Sequence, residues 1–193
     1  MKKIVFTFTF LTSLLSFSQS PIVEVCNGVQ LDEAQPGTYF KDINNTFNKY
    51  TGTWKYENGD EIVIFEITKV TQKFDLEYQI FEDYLIGNYS YSTDGGVSYI
   101  INTITSTISE EVNNNPMYSL CQDNDNQITF IFEELLLNKG DYYCTATFEF
   151  LPNSLNQMKV YIKNPDGVVG SFYGDEPFNF NFSIPTEMIV IKQ

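Results

Sequence analysis

Phe47-Asn48-Lys49-Tyr50-Thr51-Gly52-Thr53-Trp54-Lys55-Tyr56, followed by Asn58-Gly59 and the apolar run Ile62 to Ile67, is the stretch on which the fold turns. Gly52 to Tyr56 reads as a strand carrying the chain's single tryptophan. Asn58-Gly59 is a strong hairpin signal, because both residues tolerate the positive φ of a type I′ turn. Glu61 to Val70, rich in β-branched side chains, reads as the returning strand.

Downstream the β pattern continues. Phe74, Leu76, Tyr78 and Ile80 alternate with polar neighbours, which predicts a strand over Phe74 to Ile80. Tyr84 to Ser92 is the next, turned by Thr93-Asp94-Gly95-Gly96 into Val97 to Ile101. Ser106 to Gln127, with Asn113-Asn114-Asn115-Pro116, reads as a loop or a pair of short strands. Gln127 to Glu133, Tyr142 to Phe150 and Met158 to Lys163 alternate well. Asn164-Pro165-Asp166-Gly167 is a turn, since Pro presets φ and Gly accepts a positive one. Phe178 to Ser183 and Met188 to Lys192 complete the set. About eight to ten strands and no long helix predict an all-β chain, a single antiparallel β-barrel. Pro21 to Asn48 lacks periodicity, with Asp42 to Phe47 a helical turn or a loop. The expected domains are therefore a signal peptide over 1–18, an N-terminal extension over 19–48 and the barrel over 49–193.

Lys2 and Lys3 precede an apolar stretch from Ile4 to Phe17, and Ser16 and Ser18 supply the small residues of a signal-peptidase site. That run is short of the roughly 20 residues needed to span a bilayer. The expected location is periplasmic or secreted. Cleavage after Ser18 removes two lysines and no acid, lowering the net charge from −14 to −16. The chain has no arginine, and such a surface repels phosphate, which argues against nucleic acid and anionic membranes as partners. Cys26, Cys121 and Cys144 imply one disulfide and one free thiol in an oxidising compartment. Cys121 and Cys144 flank one strand and its following loop and are the expected pair; Cys26 with either is the alternative.

Phe47 with Gly52-Thr53-Trp54 resembles the first signature of the lipocalin-like (calycin) barrels. The resemblance implies that Trp54 plugs one closed barrel end, covered by a basic residue from late in the chain. That residue is usually arginine, so here Lys163 or Lys192 would stand in, without a guanidinium's fork. Tyr39 to Asn45, Lys49 to Gly59 and the ending Ile184-Pro185-Thr186-Glu187-Met188 with Ile191-Lys192 look like a family of small exported flavobacterial (Bacteroidota) proteins of unknown function. That resemblance implies export and size, and lends no activity.

The chemistry is chiefly one of absences. Without histidine there is no Ser-His-Asp or Cys-His pair and no imidazole metal site. The cysteines lack zinc-site spacing, and no phosphate-binding glycine loop occurs. Glu66, Glu77 and Asp83, or the doublets Glu110-Glu111 and Glu133-Glu134, could pair as glycosidase carboxylates. At this net charge solvated acids are the preferred reading. Asp123, Asp125, Gln127 and Glu134 have calcium-loop spacing, but Ile128 stands where glycine is needed, so an acidic hairpin tip is preferred. No catalytic residue, metal or cofactor is expected, and the chain is read as a non-enzyme.

The aromatic load, 17 Phe, 13 Tyr and one Trp, suits a barrel interior. Trp54, Tyr84, Tyr89, Tyr91 and Tyr99 are the candidate ligand-lining residues, with ordinary core packing the competing reading. Two functions follow. One is a lipocalin-like protein holding a small apolar or amphipathic molecule in a cavity of at least roughly 300 Å³; a filled interior would refute it. The other is a non-catalytic envelope module for protein interaction or structure, with a filled core and an exposed apolar patch or open edge.

Overall fold

The computed structural model describes residues 21–26, 28–29, 31–104, 110, 115–119, 121–124, 126–137, 139, 143–167 and 178–193. The expected signal peptide lies outside the described residues. Strands run as β1 (Ile22–Glu24), β2 (Tyr39–Lys41), β3 (Gly52–Asn58), β4 (Glu61–Asp75), β5 (Ile80–Ser92) and β6 (Ile101–Asn102). They continue as β7 (Met117–Ser119), β8 (Gln122–Asn124), β9 (Gln127–Phe132), β10 (Cys144–Phe150), β11 (Gln157–Lys163) and β12 (Glu187–Lys192). Two short 3-10 turns, Leu31–Glu33 and Thr46–Lys49, are the helical elements among the described residues.

The β3–β4 hairpin forms where the sequence places it, one residue out of register with the expected turn. Asn58 pairs with Glu61, so the loop residues are Gly59 and Asp60. Gly59 has φ 63°, the glycine-first arrangement of a type II′ turn. From this hairpin the ring runs β3, β4, β5, β7, β9, β10, β11, β12 and back to β3, every pair antiparallel. The result is a closed eight-stranded barrel. β6 and β8 add to β5 and β9, and β1 and β2 extend the sheet from β5 as a parallel pair.

Alternate residues point inward, and the inner rows are large. Trp54, Phe65 and Tyr89 pair across β3, β4 and β5 and are fully buried. Phe65 on β4 and Phe148 on β10 come from strands four places apart either way round the ring, yet their rings meet edge to face at 5.2 Å. Phe148 also meets Phe130 at 5.3 Å, and Tyr89 meets Phe132 at 5.2 Å. Side chains therefore bridge the full width of the barrel at mid-height, as the tight packing of small barrels requires.

Four expectations need correction. Phe74 to Ile80 is the end of β4, a turn and the start of β5; Asp75 accepts the Glu77 and Tyr78 amides at 2.8 and 2.9 Å, and Gln79 takes φ 55°. The apolar alternation there is fortuitous, since Leu76 is 81% exposed. Val97 to Ile101 is mostly turn, held by Asp94, whose carboxylate accepts the Ser98 amide at 2.9 Å. Phe178 to Ser183 is not a strand but lies across the barrel mouth. The disulfide joins Cys26 to Cys121, leaving Cys144 free and buried. Cys144 begins an inward-facing row on β10, whereas Cys26 follows β1 and reaches the link between β7 and β8.

Candidate functional site

The closed end is built from the Gly52–Trp54 stretch. The Trp54 indole donates to the Tyr50 carbonyl at 2.7 Å, and its ring packs edge-on against Phe150. Lys192, paired with Trp54 across β12 and β3, lays its ammonium 5.1 Å from the ring centroid and donates to the Lys49 carbonyl at 3.4 Å. Of the two lysines considered, Lys192 is the cover and Lys163 is not. Gly52 makes the fit possible: it holds φ 116°, and a Cβ there would sit 3.1 Å from Lys192 Cε.

The remaining candidate aromatics do not gather. Tyr89 is inside, its hydroxyl donating to the Glu133 carbonyl at 3.3 Å. Tyr91 is buried near the mouth and donates to Glu61 at 2.9 Å; burial and that carboxylate push its phenol up to about 12. Tyr84 lies on the outer face with Val70, Ile86 and Tyr118, and Tyr99 sits on the loop after β5, 40% exposed. Trp54 is a plug at the far end. The five residues therefore line no shared site.

Among the described residues, which leave out Glu111, the candidate acids are likewise dispersed. Glu66 faces outward opposite Asn88, and Glu77 is on the β4–β5 turn. Asp83 is buried in a network: its carboxylate accepts from Tyr39 at 2.7 Å, from the Asp42 amide at 3.0 Å and from the Gln72 amide at 2.9 Å. A bulge between Val70 and Lys73 frees that last amide. Asp42 receives Lys69 at 2.7 Å and the Thr46 and Phe47 amides at 2.7 and 3.1 Å, fixing the 3-10 turn under the barrel. These bonds outweigh the desolvation of Asp42 and hold its carboxyl below the usual range. Glu82, on the opposite face of β5, is 7% exposed, and burial, aided by Asp75, pushes it up to about 7.

The richest polar arrangement is at the mouth, and the sequence reading passed over it. Lys139 is 5% exposed. Its ammonium donates to Asn164 Oδ1 at 2.9 Å and to the carbonyls of Asn179 and Asn181, both at 2.6 Å, filling all three donor positions. The same ammonium lies 4.0 Å from the Phe182 ring centroid and 5.1 Å from that of Phe178. Asn164 returns a bond from Nδ2 to the Phe180 carbonyl at 2.9 Å. Glu134, also buried, accepts the Ser183 amide at 3.0 Å and hydroxyl at 2.6 Å. Ile184 and Phe182 pack into the barrel core beneath. Burial pulls the Lys139 ammonium down and pushes the Cys144 thiol up. Glu134 is thus committed to the mouth, at the far end of β9 from Asn124, while Asp125 of the calcium-loop spacing lies outside the described residues. The signal available in sequence was Asn164 in the Asn-Pro-Asp-Gly turn, followed by the Phe-Asn alternation of Phe178 to Phe182.

Rings and polar staples close this barrel at both ends around a filled middle, which defines a closed antiparallel eight-stranded β-barrel. The chain belongs to a family of unknown function (DUF6705), whose profile matches residues 1–193. No curated protein and no solved structure matches it.

Proposed function

We propose that this is an exported, non-catalytic protein that works through its surface, an interaction or structural module for which the barrel is a scaffold. The observation that carries this reading is the Phe65–Phe148 contact, where rings from opposite strands occupy the width in which a barrel ligand would lie. The Cys26–Cys121 disulfide agrees with an oxidising periplasmic or extracellular setting. The absence of histidine and the dispersal of the carboxylates support the non-catalytic part.

Apolar surface is available for a partner. Ile22, Tyr39, Phe81 and Phe74 pair in sequence across β1, β2, β5 and β4, and directly paired residues share a face. Ile22 and Phe74 are 59% and 45% exposed, and Leu76 and Tyr78 on the β4–β5 turn are 81% and 37% exposed. The competing reading, a lipocalin-like carrier of a small apolar or amphipathic molecule, is favoured by the Trp54–Lys192 closed end alone.

Native mass spectrometry of the mature protein from its own host, with Nile red titration, tests the proposal. The expected result is the bare polypeptide mass and no saturable dye binding. A retained small molecule, or stoichiometric dye uptake by the folded protein, would overturn it in favour of the carrier.

A further inference from the structure

Glu134, Lys139 and Asn164 are joined to segment 178–184 and to one another through six polar bonds. Lys139 takes the carbonyls of Asn179 and Asn181, Asn164 takes Phe180, and Glu134 takes both the amide and hydroxyl of Ser183. The sixth, Lys139 to Asn164, ties the two holders together. Three oxygens at 2.6 to 2.9 Å with two aromatic faces at 4.0 and 5.1 Å match what a primary ammonium requires: one acceptor per N–H and ring quadrupoles around the charge. Four of these five groups belong to the segment that is held, the Asn179 and Asn181 carbonyls and the Phe178 and Phe182 rings, and only Asn164 Oδ1 lies outside it. The segment folds round the ammonium rather than resting on a preformed wall.

We propose that this cage is an ammonium-recognition site for short primary alkylammonium groups, occupied by the protein's own Lys139, and that its occupancy holds segment 178–184 shut over the barrel mouth. The segment is then a conditional closure. Emptying the cage leaves the Asn179 and Asn181 carbonyls without their buried donor, an unfavourable state relieved by moving out to water. Phe182 and Ile184 leave with them, uncovering the upper barrel around Tyr89 and Cys144.

The test is Lys139→Ala with and without n-propylammonium, which restores the missing Cγ to Nζ portion, and with n-propanol as the uncharged control. Hydrogen exchange read by mass spectrometry reports segment 178–184 separately from β4 and β10. The expected result is exchange in the segment faster by about tenfold or more, unchanged β4 and β10, and recovery with n-propylammonium but not n-propanol. Unchanged exchange in the segment would overturn the closure. Equal recovery with both additives would overturn ammonium recognition, leaving only a filled void. Should Lys139→Ala unfold throughout, Asn164→Ala, which removes one cage oxygen and the bond to Phe180, decides: local opening of 178–184 supports the closure, and no opening overturns it.

Discussion

Replacing Glu82 with glutamine should leave stability nearly unchanged at pH 5 and raise it at pH 8. Glu82 sits on β5 between Lys73 and Phe40, its paired neighbours, but the Lys73 ammonium lies toward Glu110 at 3.8 Å. Burial and the nearby Asp75 charge raise its pKa from 4.5 to about 7. The folded protein therefore holds a proton that the unfolded chain has released between those two values. Stability from this group is complete below about pH 4.5 and is lost as pH rises through 7. At about 1.4 kcal/mol per pKa unit the ceiling is roughly 3 kcal/mol. Residual water contact screens the charge, so about 1.5 kcal/mol is the working figure at pH 8. For a chain of this size that corresponds to about 3 to 6 °C in Tm. Thermal melts of wild type and Glu82→Gln at pH 5, 6, 7 and 8 measure it. Parallel pH dependences for the two proteins, or a variant less stable than wild type at pH 8, would show that the carboxyl is not held protonated by its surroundings.

Three further outcomes are expected. Phe65→Ala should lose about 3 to 5 kcal/mol in urea denaturation and, if it leaves a void across the barrel, gain Nile red binding that wild type lacks. Cys26→Ser should lose about 2 to 4 kcal/mol, whereas a non-reducing digest of wild type should release a Cys26–Cys121 peptide; a Cys121–Cys144 peptide there would refute the pairing. Lys192→Met should cost about 1 kcal/mol through the lost cation–π contact, read by the fluorescence melt of the sole tryptophan, and Lys192→Arg should recover most of it.

What was legible in the sequence was local. The β3–β4 hairpin and the alternating β9, β10 and β11 follow from turn chemistry and period-2 patterns, which neighbouring residues encode, whereas the tryptophan at a barrel end came from the Gly52-Thr53-Trp54 resemblance. The parallel β1 and β2 were not legible, because three-residue strands carry no period and their pairing depends on β5, about 40 positions away. The tip of the β4–β5 hairpin was misread because Phe74, Leu76 and Tyr78 keep strand alternation through a turn that Asp75 imposes. The tyrosines misled for a related reason: Tyr84 and Tyr89 lie five apart on one strand, an odd separation that sends them to opposite faces. The mouth was invisible since Lys139 finds its partners 25 to 42 residues further on, two of them backbone carbonyls.

The place of β12 in the ring has a consequence for how the chain folds. Glu187–Lys192 is the stave between β3 and β11, and Lys192 is the residue that seals the tryptophan end. Before β12 joins, the strands from β3 to β11 form a sheet with two raw margins. Closure is a late, all-at-once event joining residues more than 130 positions apart. Until β12 docks, such a chain stays open and pliable, and a ring that depends on so distant a pairing is slow to close.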